Sequence, residues 1–311
     1  MSTMNNEKPD IRSIEAFAAV VRYGSMTAAA QKMSVGQPAI TRMIRELENR
    51  VGFALFERNG PKIAPSAKGL MFFEESQRVM ANLLHLTERA HAIRDDKLPA
   101  IDIVATPTMS AGLVGPVLAR IQSLLPDFVH IETTTSERVM LSLRQGTADL
   151  GFSAYSKDVP GLECLARFES RVVALVKEGS PYDTDAPLPL SVFAKERLAT
   201  ITSGYQIRSE IDKAFETAGI KPVAEIAATA SLSAAMAARA GLGIALCDPV
   251  TAAGIPIEGL SMRPLETEIS YDWALFARAD SSLKDRYPQM VQACCDESAL
   301  IVSRVDRVYG V

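Results

Sequence analysis

Long apolar runs are missing from this chain. No stretch approaches 18 uninterrupted apolar residues, so no membrane-spanning helix is expected. The first residues, MSTMNNEKPDIRS, lack the apolar core of a signal peptide, and the expected compartment is the cytoplasm. Cysteine is scarce. Cys164, Cys247, Cys294 and Cys295 show no metal-ligand spacing, and the adjacent last pair cannot easily bridge. In a reducing compartment they read as buried or idle thiols, with a redox sensor as the alternative. His85, His91 and His130 are scattered, which argues against a zinc site. There is no Gly-x-Ser-x-Gly, no phosphate loop and no paired set of metal ligands, so nucleophile-and-base chemistry has no visible carrier. No cofactor, no metal and no enzymatic activity are expected.

What is present is two domains' worth of chain. The 311 residues are 48% hydrophobic and 23% charged, ordinary for a globular protein with ample core. The net charge of −4 hides an asymmetry. Residues 1–68 hold ten Lys and Arg against six Asp and Glu, whereas residues 69–311 hold 23 against 31. A basic head on an acidic body suits a chain whose first domain neutralises phosphates.

The basic head is built around GQPAITRMIRELENRV, residues 36–51. Pro38 fits the first helical turn. Ile40, Met43, Ile44, Leu47 and Val51 recur at helical spacing as one apolar stripe. Pro38, Thr41, Arg42, Arg45 and Asn49 fall on the far side. Taken alone, this is equally an ordinary amphipathic surface helix. Its neighbours decide otherwise. Upstream, Ser25 or Thr27 can cap a short Ala-rich helix, residues 25–33. Only Ser34, Val35 and Gly36 separate the two helices, and Gly36 permits a sharp turn. Two helices so joined form a helix-turn-helix, with the second entering the major groove. Downstream, Asn59-Gly60 is a strong hairpin signal, and Arg58 and Lys62 flank its tip, giving a basic wing. Ile11 to Tyr23 reads as a preceding helix with Ile14, Phe17, Ala18 and Val21 inward.

This stretch resembles the N-terminal domain of the LysR-type transcriptional regulators. The match rests on Phe17, Ser25, Ala29-Ala30, Gln37-Pro38-Ala39, Arg42, Leu47-Glu48, Gly52, Leu55-Phe56-Glu57-Arg58, Pro65 and Gly69. The family usually has Ser where this chain has Gly36, which can still serve as an N-cap at a cost of a few tenths of a kcal/mol. The resemblance implies a winged helix-turn-helix domain over residues 1–65 that binds double-stranded DNA. Ser25, Thr27, Gln37, Pro38, Thr41, Arg42, Arg45, Arg58 and Lys62 are its candidate DNA contacts.

Ser66 can cap a long helix over 66–94. Phe72, Ser76, Val79, Leu83, Leu86, Ala90 and Ile93 alternate steps of four and three, a heptad seam on a helix roughly 42 Å long. The preceding domain is small and already has a core, so an inter-subunit seam is favoured over packing on the chain's own domain. The resemblance implies a dimer through this linker helix, with a tetramer beyond it, and leaves RNA polymerase as a further candidate partner.

The polar break Asp95 to Pro99 opens a third region, 95–311. Strands at 101–106, 129–134 and 150–154 alternate with helices at 112–125 and 136–144, which implies a parallel α/β sheet. Strands at 162–168 and 171–176 carry the chain across near Glu169 into a second lobe of the same kind, about 169–264. That lobe has strands at 198–202, 225–228 and 243–246 and helices at 207–218 and 232–240. The chain returns near Leu265, with a strand at 271–277 and a closing helix at 282–304, so the first lobe is about 97–168 plus 265–311. Two crossings imply two lobes with a cleft, the periplasmic-binding-protein-like plan of the family's effector domain. Leu143 to Gly146, Ala148 to Gly151 and Ala240 to Ala245 resemble that family's runs.

Ligands of open parallel sheets sit beyond the strands' carboxyl ends. Those ends carry Thr106, Thr108, Met109 and Ser110, then Thr135 and Ser136, then Thr202, Ser203, Gly204, Tyr205 and Arg208, then Thr229. Each is equally a helix cap, but collectively they are the candidate effector contacts. Gly69 to Val79 and Ser231 to Pro249 resemble the lysine-biosynthesis and octopine/nopaline branch, which implies an amino acid or amino-acid derivative as effector. The expected function is sequence-specific transcriptional regulation modulated by a small effector in the inter-lobe cleft. A non-sensing DNA-binding repressor with a vestigial cleft is the alternative, and an enzyme fused to a winged helix a remote third.

Overall fold

In a computed structural model the chain divides into two compact units, residues 1–96 and 97–311. The structure describes residues 8–59, 62–95, 100–154, 159–281 and 288–310. The expected wing tip at 60–61, the polar break at 96–99 and the start of the closing helix at 282–287 lie outside them.

The first unit runs α1 (Ile11–Tyr23), α2 (Met26–Lys32), α3 (Gln37–Val51), a hairpin of β1 (Phe56–Asn59) and β2 (Lys62–Pro65), and α4 (Ala67–Arg94). Its core gathers on Phe17, whose ring lies 5.4 Å from Phe56, 5.6 Å from Phe72 and 6.2 Å from Phe73. Val20 rather than Val21 takes the fully buried place on α1. The start of α4 is fastened by Ser66, whose hydroxyl accepts from the Gly69 N–H at 2.9 Å and donates to the Ala54 carbonyl at 2.7 Å.

The heptad seam on α4 is split. Phe72, with Phe73 and Met80, packs on the first unit's own core, and Ser76 is buried, donating to the Phe73 carbonyl. Farther along, Val79, Leu84 and Leu86 stay exposed. The same period therefore serves two partners. Phe72 to Met80 close the first unit, while Leu70, Met71, Val79, Leu84 and Leu86 on the same helix remain exposed for another surface. The Ile93 side chain lies outside the description.

The second unit has two five-stranded sheets. Lobe I holds β3 (Ile101–Ala105), β4 (Val129–Thr133), β5 (Leu150–Ala154), β6 (Leu162–Arg171) and a late strand, β12 (Ser270–Arg278), in the order β4-β3-β5-β12-β6. β3 pairs parallel with β4 and β5, while β12 runs antiparallel between β5 and β6. Lobe II repeats this plan with β7 (Val173–Lys177), β8 (Leu198–Ile201), β9 (Glu225–Ala228), β10 (Ile244–Cys247) and β11 (Leu260–Arg263), in the order β11-β7-β10-β8-β9. The first crossing falls at Val172, three residues beyond the expected Glu169, because β6 extends to Arg171 along β12. β11 has no counterpart in the sequence reading.

Helices α7 (Ser136–Gln145), α8 (Gln206–Ala218), α9 (Ser231–Arg239) and α10 (Pro288–Tyr309) match the expected segments closely. The first helix of lobe I does not. It begins at α5 (Pro107–Met109), passes through a π turn at Ser110–Val114 and ends as α6 (Gly115–Arg120). Thr106 stands at its N-cap and Pro107 at its first position, five residues before the expected start. Leu124, expected inward, is exposed. The π turn lies against a second π turn in lobe II, Val250–Gly254. A Cβ on Gly112 would stand 2.7 Å from the Val250 carbonyl oxygen, and one on Gly254 2.8 Å from the Gly112 oxygen. Two glycines thus let the lobes touch backbone to backbone.

Candidate functional site

The first site is the outer face of α3. Ser25 caps α2, its hydroxyl accepting from the Ala28 N–H at 3.1 Å, while Thr27 is exposed in the first turn. The turn into α3 is made by Ser34 in the left-handed region, φ 56°, not by Gly36, whose φ of −74° any residue adopts. Gly36 occupies the N-cap without a side-chain bond, as its missing hydroxyl requires. Ile40, Met43, Ile44 and Leu47 are buried, which turns Gln37, Pro38, Arg42 and Arg45 to solvent and leaves Thr41 half-buried.

Hydrogen bonds pre-order this face. The Gln37 amide donates to the Thr41 hydroxyl at 3.0 Å, and that hydroxyl donates back to the Gln37 carbonyl. Arg42 pairs with Glu46 one turn on at 3.6 Å, both exposed. Such a pair is weak and easily exchanged for a base or phosphate. One positioning residue escaped the sequence reading. Glu48 Oε1 accepts from the Leu55 N–H at 2.8 Å and ties the end of α3 to the start of the wing. The wing backbone sets Arg58 opposite Ile63 and Asn59 opposite Lys62.

The second site is the inter-lobe cleft, a cavity of about 520 Å³. Thr106, Thr108, Thr135 and Ser136 line it from lobe I, and Ser203, Gly204, Tyr205 and Thr229 from lobe II. Those eight expected residues are therefore brought together. Four others are not. Met109 falls inside the earlier-starting helix and is wholly buried in the core. Ser110 accepts a hydrogen bond from Thr133 at 3.0 Å, away from the lining. Thr202 is held in strand register through its N–H on the Ala228 carbonyl at 2.7 Å. Arg208 is not in the lining and is paired with Asp212 at 2.7 Å and Glu225 at 3.0 Å.

Gln206 and Ser231, which the sequence also places at those strand ends, join the lining, and the structure adds Glu137, Asp248 and Tyr271. Asp248 follows β10 and could have been found by the strand-end rule applied once more. Tyr271 could not, because it lies at the start of an antiparallel strand, β12, whose beginning meets the carboxyl end of β5. Asp248 is only 2% exposed. Its carboxylate accepts from the Thr251 N–H at 2.8 Å, the Thr251 hydroxyl at 2.9 Å and the Thr108 hydroxyl at 3.3 Å, with Ser231 as a further donor. Burial pushes its pKa up and those donors oppose the shift. Burial, then the charge of Asp248, pushes the Tyr271 phenol well above its usual range.

Among the described residues no His, Cys, Asp and Glu group is arranged to hold a metal, and no helix is long and apolar enough to cross a membrane. Burial holds the Cys247 thiol well above its usual range, and burial with Cys295 beside it pushes Cys294 up to about 12, so neither is a thiolate near neutral pH.

A winged helix-turn-helix joined to a two-lobed small-molecule-binding domain is the architecture of a ligand-responsive DNA-binding regulator. Residues 11–70 match the profile of the bacterial regulatory helix-turn-helix proteins of the lysR family, and residues 97–298 match the LysR substrate binding domain. The chain belongs to the LysR family of DNA-binding transcriptional regulators, which carry an effector-binding domain and are not enzymes. It is similar to the regulatory protein NocR of Agrobacterium fabrum, 26% identical over 271 residues, covering 87% of this chain and 90% of that one. It is similar also to the octopine catabolism/uptake operon regulatory protein OccR of Rhizobium meliloti, 28% identical, covering 82% and 84%. Among solved structures, full-length CbnR complexed with its target DNA superposes with a TM-score of 0.73 at 22% identity, covering 93% of this chain and 99% of that one. That likeness establishes the shared fold, including the periplasmic-binding-protein-like second unit.

Proposed function

We propose that this regulator reads its operator with α3 and senses a small amino acid or amino-acid derivative in the inter-lobe cleft. Arg42, Arg45, Thr41, Gln37 and Pro38 face the major groove, and Arg58 and Lys62 meet the backbone or minor groove from the wing. Ser25 and Thr27 approach phosphate at the start of α2. The exposed Val79, Leu84 and Leu86 on α4 pair with a second chain, because one helix-turn-helix reads only a half-site. A tetramer and contact with RNA polymerase belong to the same reading, as does a cytoplasmic location.

The observation that carries the sensing half is the cavity itself. Its hydroxyls come from both lobes, so a ligand touching both binds one inter-lobe angle better than another. That differential affinity is what a switch needs. The relative OccR, an octopine catabolism/uptake operon regulatory protein, supports the ligand class. The test is promoter binding by the full chain, followed by fluorescence anisotropy with and without a candidate amino acid. Thr106→Val and Ser203→Ala should keep the basal DNA affinity and weaken the ligand response. An unchanged response in both variants removes the cleft from the reading.

A further inference from the structure

The sequence placed one cation, Arg208, at the cleft. The structure takes it away. Its guanidinium is only 14% exposed and is committed to Asp212, Glu225 and the Ile201 carbonyl. Among the described residues, the charged side chains that line the cavity are then Glu137 and Asp248, both acidic. They come from opposite lobes, Glu137 from the first turn of α7 and Asp248 from the end of β10.

Asp248 presents its charge where water is largely excluded. All its recorded partners are donors, and the Thr251 N–H can do nothing but donate. Those donors oppose the upward push that burial exerts on its pKa. Its contact with Thr108 is long, at 3.3 Å, and the Thr251 hydroxyl lies equally 3.3 Å from Thr108. Thr108 therefore turns to a ligand without leaving Asp248 bare. Glu137 is exposed and has no ion-pair partner among the described residues. A purely anionic ligand would enter a cavity whose ionisable side chains, Glu137 and Asp248, are both acidic and offer it no counter-charge. A ligand cation placed between them is attracted by both side chains and so favours the arrangement that brings the two lobes together.

We propose that the effector carries a side-chain ammonium or guanidinium group that Asp248 and Glu137 recognise, so that these two acidic side chains set its charge class. A basic amino acid or its derivative fits, with its carboxylate met by the hydroxyls and free N–H groups that precede α8. This rests on the reading of the cleft as the effector site.

The test uses full-length protein, thermal shift and calorimetry, with charge-matched pairs. L-arginine and L-lysine are compared with the isosteres L-citrulline and L-norleucine, which keep the α-ammonium and carboxylate but lack the side-chain cation, and with glutarate. Arginine or lysine should bind at least tenfold tighter than its isostere. That advantage should fall below threefold in Glu137→Gln, an exposed site where folding is not at risk, and in Asp248→Asn. Equal binding of the isosteres, or tighter binding of glutarate, overturns the charge assignment and leaves the cleft as the effector site. A panel in which nothing binds also overturns it, and the effector reading is then decided by the promoter experiment with Thr106→Val and Ser203→Ala.

Discussion

The Thr108 hydroxyl donates to Asp248 Oδ2 at 3.3 Å, joining lobe I to lobe II across 140 positions of chain. Both residues line the cavity, so this bond is at once part of the inter-lobe contact and part of the ligand's surroundings. Thr108→Val should remove it and leave the buried carboxylate one donor short, a loss of about 1 kcal/mol. Urea unfolding of the full chain measures that directly. A midpoint identical to the parent's would mean that the Thr251 N–H and hydroxyl carry Asp248 alone.

Arg42 stands on the exposed face of α3 with only the i,i+4 partner Glu46. If it reads guanine with two hydrogen bonds, Arg42→Ala should cost roughly 1–3 kcal/mol on the operator. Binding to a scrambled duplex should change much less. Equal loss on both duplexes would assign Arg42 to phosphate instead, and the slope of affinity against salt would then fall as well.

Leu84 and Leu86 are 65% and 62% exposed on α4, beyond Met80, the last of its side chains recorded against the first unit's core. A double change, Leu84→Glu with Leu86→Glu, should leave helix content unaltered, since neither side chain is buried. Sedimentation should then show a smaller assembly, and operator affinity should fall with it. An assembly of unchanged size would remove α4 as the pairing surface.

Asp183 accepts from the Gly179 N–H at 2.8 Å, from Ser261, and from Arg263, and these bonds lower its pKa from 3.8 to about 2. A carboxylate whose folded value is depressed contributes stability above its unfolded value, and that contribution disappears as pH falls through the folded one. It is therefore complete above about pH 4 and lost towards pH 2. Across that window the parent protein should lose more stability than Asp183→Asn does. Parallel melting curves for the two from pH 5 to pH 2.5 would show that the pair contributes nothing.

Where the sequence sufficed, the physics was local. Ser25 caps α2 because a hydroxyl three residues before a free N–H needs no distant partner. The stripe from Ile40 to Leu47 defines which side of α3 is outward whatever it packs against. The alternation of strands and helices gave both parallel cores, and the two crossings placed β12 back in lobe I. Even Met109 was readable in principle, because Thr106-Pro107 is a cap followed by a first-turn proline.

Where the sequence fell short, two segments far apart competed for one side chain. Phe72 has the correct period for a seam, but period reports only that a face is apolar, and Phe17 claims that ring. Arg208 lies beside a strand end, yet Glu225 arrives from β9 to pair with it. Asp248 and Tyr271 reach the cleft because β10 and β12 end and begin at the same edge of two sheets. The chain's composition and local pattern therefore determined its class, its domains and the outward face of α3. Only the tertiary structure decided the sign of charge in the cleft, because that depends on which ionised groups find a partner elsewhere before a ligand arrives.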